Sequence, residues 1–505
     1  MTVTVRETCT SLILIGLCSA SRQVYDCSQQ HSYTEEEHIF PRDDLVGEPV
    51  TVLVNLQQSV NQISSHFVGV TIDAALIHDK WRKLDFSSKR VQNMAKALTP
   101  SFFRLGGTSA DSLTYVLYNG QNSTPPTQLG SHVPANLTAE AWETINEFTK
   151  EVGWDLIFDL NALKRNADGS WNHDNARQLL QFSADRNYTI AGFELGNEYD
   201  IYERKHNATL SPRQLAKDVM TLQTLLSQFP QYYSAFIIGP ETATDNQQCF
   251  QGFLAAGGSK VVSAASFHHY YYSDEDEDVS RFTDIKTMDS FDHILDHVMD
   301  MTRSVNPQLP VWLSETSCTY DHGVANVSDR FVAGFLWLDK LGLCALNGVQ
   351  TVIRQDFYGN NYSFLNPQQE PNPDFWLTVL YKRIVRGAVF NATGRHDVRV
   401  YAACANSFLL PAGSVVVYTL NPDDYPLTFD LPQFQTQPRM LWSLTGWGGD
   451  RLSKYTSLNG VKLELVNDEL PDLPGKLAPP GVVTVPPYSF TFVAFYETSI
   501  SICYE

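Results

Sequence analysis

Two glutamates stand where chemistry could be done. Glu198 closes the run Leu195-Gly196-Asn197-Glu198, and Glu315 lies in Trp312-Leu313-Ser314-Glu315-Thr316; both runs read as strand ends. Two carboxyl groups facing each other across a cleft are what hydrolysis of a glycosidic bond requires: one protonates the leaving oxygen, the other attacks the anomeric carbon. At a separation of ~5–5.5 Å no water fits between them, so the second carboxylate is the nucleophile and configuration is retained. The sequence predicts Glu198 as the acid/base and Glu315 as the nucleophile, with burial or a neighbouring negative charge holding the proton on the acid. Asn197 is placed to bond a sugar 2-hydroxyl, an interaction that strengthens in the transition state. Tyr270, in His268-His269-Tyr270, is placed to donate to Glu315 and keep it ionised, with His268 bonding nearby. Asp73, Arg104, Thr108, Arg354 and Gln355 stand at other strand ends as sugar or structural contacts, and the arginines serve equally well as buried charge partners of the glutamates. A serine hydrolase would show a Gly-X-Ser-X-Gly elbow, which is lacking. His268 and His269 are adjacent, so on a strand they point to opposite faces and make a poor pair for one metal ion. Neither a metal nor an organic cofactor is expected.

Such residues need a scaffold that gathers strand ends. Strand-like segments at 66–73, 101–107, 154–160, 190–198, 236–241, 264–272, 310–316 and 349–357 alternate with amphipathic helical ones at 87–98, 138–152, 175–186, 211–229, 290–305 and 329–346. Ser211 before Pro212 and Thr138 before Ala139-Glu140 read as helix caps. Eight strands with helical crossovers predict an α/β fold, a (β/α)8 TIM barrel over 66–388, whose strand C-termini form the active face. Beyond residue 389 the segments 398–403, 414–421, 427–431, 462–466 and 490–496 are short, β-branched and aromatic, and set off by Pro, Gly and Asn. They predict an antiparallel β-sandwich over 389–505, joined by an early alternating strand at 49–65.

The chain has 505 residues and a formal charge of −20. So acidic a protein does not suit nucleic acid, whose affinity comes from Lys and Arg displacing counterions. Residues 1–20 read as a signal peptide: Arg6 precedes about ten apolar residues ending near Ala20, where a membrane span needs ~20. A polar leader fills 21–48, and no transmembrane segment is expected. Sequons at Asn122, Asn136, Asn187, Asn207, Asn326, Asn361 and Asn391 fit a secreted or lysosomal glycoprotein. Without the signal, Cys27, Cys249, Cys318, Cys344, Cys404 and Cys503 remain; none forms a CxxC pair, and spacing alone leaves the pairing open.

Several stretches together resemble the heparanase-like enzymes of glycoside hydrolase family 79: His66-Phe67-Val68-Gly69-Val70-Thr71-Ile72-Asp73, Arg104-Leu105-Gly106-Gly107-Thr108, Glu194-Leu195-Gly196-Asn197-Glu198, His268-His269-Tyr270-Tyr271, Ser314-Glu315-Thr316-Ser317 and Arg354-Gln355. The resemblance implies a retaining endo-β-glucuronidase acting on glycosaminoglycans, with Glu198 as proton donor and Glu315 as nucleophile. It further implies that Asp73, Thr108, Asn197, Arg204, His268, Tyr270, Gln355 and Tyr362 line the substrate site, and that Cys404 pairs with Cys503. Departures bear on processing and substrate. The stretch from Asp111 to Thr138 is short, which argues against two-chain maturation. Of the family's basic clusters Arg204-Lys205 remains, but Ala243–Gln248 is not basic, and Tyr320-Asp321-His322-Gly323 brings an acid where a glycine-rich loop would receive the glucuronate carboxylate. Heparan sulfate is the expected substrate and hyaluronan or weakly sulfated heparan sulfate the alternative, with peripheral association to matrix or membrane through their glycans. A non-catalytic glycosaminoglycan-binding relative is the alternative from another class.

Overall fold

The structure, a computed structural model, describes residues 48–118, 133–394 and 398–504; the expected signal segment, nearly all of the leader, Cys27 and Asn122 lie outside the described residues. Eight parallel strands close into a barrel in chain order: β1 (Val68–Asp73), β2 (Ser101–Gly106), β3 (Trp154–Leu160), β4 (Gly192–Leu195), β5 (Phe236–Thr242), β6 (Ala264–His269), β7 (Val311–Thr316) and β8 (Thr351–Arg354). Each lies inside or within a residue of a segment picked out by the sequence pattern. The widest differences are β4 and β8, which stop at Leu195 and Arg354, so Asn197, Glu198 and Gln355 sit beyond the ladder rather than in it.

A helix follows every strand: Lys89–Ala97, Ala139–Val152, Asp174–Asp185, Pro212–Leu226, Gln247–Ala255, Ile285–Val305, Ala333–Asn347 and Pro373–Ile384. Thr138 and Ser211 cap their helices through side-chain oxygens, as the sequence predicts. Gln247–Ala255 was hidden by its polar start, where Asn246 accepts from the Gln248 and Cys249 amides. Pro373–Ile384 carries its own signal, Pro at the first helical position.

Inside the barrel the lower layer is apolar: Phe102, Ile157, Ile238, Ala264, Trp312 and Ile353, one from each of six strands, pack as a separate cluster. Moving up each strand by two residues keeps the same face. That step replaces Phe102 by Arg104, Ile157 by Asp159, Ala264 by Ser266 and Trp312 by Ser314, all buried. A polar layer therefore rests on an apolar floor directly beneath the mouth.

The remaining strands form two sheets. Leu53–Ile63 pairs antiparallel with Val385–Thr393 at one edge of a nine-stranded sheet, and Val50–Thr51, Leu427–Asp430 and Val483–Val485 form a three-stranded one. Along Val415–Asn421, Val415 and Val417 join the core between the two sheets, while Val416, Tyr418 and Leu420 join the barrel's core. Every residue of that strand is buried, because the larger sheet is covered on both faces. The expected strand at 462–466 is reduced to Val461–Lys462; its later residues leave the ladder.

Candidate active site

Arg104 is the centre of the buried layer. Fully enclosed, it donates from Nε to Glu194 Oε2 (2.7 Å), from Nη1 to Glu315 Oε2 (2.5 Å), and from Nη2 to Asn197 Oδ1 (2.8 Å) and Glu241 Oε2 (3.4 Å). Of the two roles open to the arginines, Arg104 takes that of charge partner to the glutamates. Arg354 is equally buried but binds Asp374 (2.8 Å) and the Tyr362 carbonyl (2.9 Å), below the loop after β8.

Glu315 reaches the site through an irregularity that strand alternation cannot foresee. Leu313 pairs with Phe267, but the next pair is Glu315 with His268, so Ser314 is an extra residue on β7. A bulge of this kind re-aims side chains. It lets Ser314 and Glu315 both act inside the mouth, where strict alternation would send one of them outward. Glu315 Oε1 accepts from Tyr270 Oη at 2.7 Å. Burial alone would raise the Glu315 carboxyl, but His268 and Arg104, helped by the Tyr270 hydroxyl, bring it below the usual carboxylate value.

Glu198 sits on a turn in the left-handed region (φ 56°), its amide donating to the Glu241 carbonyl at 2.8 Å. Gly196 makes the turn possible: its φ is +83°, and a Cβ there would fall 2.2 Å from Tyr202 Oη and 2.7 Å from Ala162 Cβ. Asp111 ties the turn down, accepting from the Asn197 amide (2.9 Å), Tyr202 Oη (2.6 Å) and the Ala162 amide (2.8 Å).

His268 stands between the glutamates. Nδ1 lies 3.1 Å from Glu198 Oε1 and 3.9 Å from Glu315 Oε1, and Nε2 lies 2.8 Å from Glu241 Oε2. Burial pushes the ring down, but Glu315, Glu198 and Glu241 together hold it well above an ordinary histidine. Glu198, His268 and Glu315 each bring one atom to within 4.8 Å of the others. An imidazolium has no lone pair to give, and both ring nitrogens face carboxylates, so the trio is poorly suited to a metal ion. His269 points the other way, as predicted, into a pocket with Tyr271 and Phe291.

Around this centre, Asp73 accepts from the Ala75 amide (2.7 Å) and from Gln355 Nε2 (3.3 Å), and burial raises its carboxyl to about 6. Thr108 begins the turn after β2, half-buried. The Tyr362 ring lies 6.4 Å from that of Tyr270, and its hydroxyl donates to the Asp321 carbonyl at 2.9 Å, which joins the loops after β7 and β8. Sequence reasoning did not single out Glu241, Glu194, Asp111 or Asp159. Glu241 and Glu194 were within its reach, the first at a predicted strand end and the second four residues before one.

A model of the glycosyl hydrolase family 79 N-terminal domain matches residues 49–342. The chain belongs to glycoside hydrolase family 79. A hyaluronoglucuronidase from Hirudo nipponia is 30% identical over 489 residues, covering 90% of this chain and 99% of that protein. A heparanase from Gallus gallus is 30% identical over 515 residues (89% and 96%), and a human protein named inactive heparanase-2 is 28% identical over 532 (89% and 89%). Among solved structures, a 4-O-α-L-rhamnosyl-β-D-glucuronidase from Fusarium oxysporum aligns with a TM-score of 0.65 at 16% identity, over 87% of this chain and 99% of that one; that likeness is one of fold.

Against the family 79 pattern, the departures look milder in three dimensions than in sequence. Asp321 is met by Lys205, whose Nζ lies 3.4 Å from its Oδ1, so its charge does not stand unopposed. Arg204, expected at the substrate, is exposed on the short helix Tyr202–His206. Cys404 and Cys503 form a disulfide, Cys249 is also disulfide-bonded, and Cys318 and Cys344 are buried free thiols. Among the described residues no helix is long and apolar enough to cross a membrane.

Proposed function

We propose that this family 79 glycoside hydrolase is a retaining endo-β-glucuronidase that cleaves glucuronic acid β-linkages in glycosaminoglycans, heparan sulfate or hyaluronan, in a secreted or lysosomal setting. The observation that carries the reading is the approach of one Glu198 oxygen to within 4.8 Å of one Glu315 oxygen across the barrel mouth. That closeness favours direct attack over an intervening water.

In the first step Glu315, kept ionised by His268, Arg104 and Tyr270, attacks the anomeric carbon while Glu198 gives its proton to the departing hexosamine oxygen. In the second, Glu198 takes a proton from water as that water displaces Glu315. Asn197, its amide oxygen turned to Arg104, offers its NH2 to the sugar 2-hydroxyl. The overall charge of −20 and the spending of Lys205 on Asp321 weigh against a densely sulfated chain. Hyaluronan and weakly sulfated heparan sulfate therefore fit better.

A silent, glycosaminoglycan-binding role is the second reading, favoured by the relative named inactive. Digesting hyaluronan, heparan sulfate and chondroitin sulfate side by side decides between the two. New reducing ends after glucuronate, absent with Glu315→Gln, are the expected result. Binding without cleavage by the wild-type protein would support the silent role.

A further inference from the structure

One buried glutamate near the site has no part in the two-step reaction, yet it touches the histidine between the two glutamates, the arginine behind them and the backbone of Glu198. Glu241 stands at an irregularity of its own. Ser266 pairs with Pro240 and Phe267 with Thr242, so Glu241 is the extra residue on β5, with a left-handed φ of 54°. A non-glycine residue held in that region costs energy and persists where its surroundings enforce it. Its carboxylate Oε2 receives Ser314 Oγ (2.8 Å), His268 Nε2 (2.8 Å) and Arg104 Nη2 (3.4 Å), while its carbonyl receives the Glu198 amide (2.8 Å). One residue thus anchors the imidazole from below and the backbone of the acid from the side.

We propose that Glu241 is a positioning residue that acts through His268, holding the ring doubly protonated so that Nδ1–H points at Glu198 Oε1. This inference rests on the reading of Glu198 as acid/base and adds which of its oxygens does the work. If the ring were neutral with its hydrogen on Nε2, Nδ1 would be an acceptor and would draw the acid's proton away from the substrate. With both nitrogens donating, Oε1 is an acceptor and the proton is confined to Oε2, the oxygen that makes no bond to the ring. The charged groups facing the ring are Glu315 on β7, Glu198 after β4 and Glu241 on β5, with Glu194 on β4 close enough to feel its charge and Arg104 on β2 beyond the carboxylates. Glu241 is the one of the three contacting glutamates that the reaction leaves unchanged, so it holds the ring's charge through both steps.

The test is Glu241→Gln, which keeps the shape and removes the charge, beside Glu241→Asp, which keeps the charge. The His268 ring is followed by carbon-13 histidine NMR, with His268→Asn providing the assignment. Expected for Glu241→Gln is a ring titration lowered by about 1–3 units, the shift a close opposite charge produces. The alkaline limb of kcat should move down with it, kcat should fall by about tenfold or more, and KM should stay close to wild type. Glu241→Asp should restore the ring titration. If Glu241→Gln does not fold, Ser314→Ala, which removes one anchor of the carboxylate, is read by the same two measurements. A drop in melting temperature and kcat with the ring titration and the pH limb unmoved would overturn the proposal. Because the ring titration needs no turnover, an inactive wild-type protein would sink the proposed function while still testing the Glu241–His268 link.

Discussion

Replacing Arg104 by lysine keeps the charge and removes the fork. A lysine Nζ stands near the position of the guanidinium carbon, ~1.3 Å short of the terminal nitrogens. Contacts of 2.5 Å to Glu315 and 2.8 Å to Asn197 then stretch past hydrogen-bond range, and the separate contact to Glu194 at 2.7 Å must compete for the same ammonium. Losing about two charge-assisted bonds at about 1.5–3 kcal/mol each gives a destabilisation of about 3–6 kcal/mol, which overlaps the cost of breaking a buried ion pair. For turnover the bond to Glu315 matters most. Its share, about 1.5–3 kcal/mol, corresponds to a fall of about 10–150-fold in kcat/KM. Urea denaturation gives the first number, and initial rates of reducing-end release give the second. A lysine variant with wild-type stability and rate would show that Arg104 does not organise the site, and the reasoning from its four contacts would fail.

Gly196→Ala should be among the most damaging single-methyl changes in the chain, because the added carbon meets Tyr202 Oη at 2.2 Å on a backbone with φ +83°; a wild-type melting temperature and activity would contradict the tight turn beneath Glu198. Stability should be higher near pH 5 than near pH 7. Burial raises Asp73, Asp111, Asp200 and Asp339 from 3.8 to about 6 and Asp356 to about 7, so between those values the folded chain holds more protons than the unfolded one and loses stability as pH rises. Glu194, raised to about 8, and Asp159 act in the same direction; His78, His206 and His269, driven down by burial, and near pH 7 Lys340 and Lys382, driven down to about 7, oppose this but are outnumbered. Melting temperatures across the range check the sign, and a steady rise from pH 5 to 7 would refute it.

The barrel was legible because its strands are short apolar runs between amphipathic helices, a pattern set by which faces must be buried. Glu198, Glu315, Asn197 and Tyr270 were legible as strand-end polar residues, and the structure gathers them at the barrel mouth. What sequence could not supply was geometry that departs from regular alternation. The extra residues Ser314 on β7 and Glu241 on β5 decide which side chains turn inward, and a bulge leaves no periodic trace. The buried acids were hidden for a related reason. Glu194 and Asp159 sit in runs that otherwise read as apolar strand, and only the position of Arg104 in space explains why a carboxyl is tolerated there. Asp321 reads as repulsive in sequence because its partner, Lys205, lies 116 residues away.

The closeness of Glu198 and Glu315 makes its most direct claim about stereochemistry. Proton NMR of the first product formed from a glucuronate-β-linked oligosaccharide, recorded before the ends equilibrate, reads the anomer released. The account predicts the β-anomer first, from two successive displacements at the same carbon. The α-anomer appearing first would mean a single displacement by water, and the assignment of Glu315 as nucleophile would be wrong.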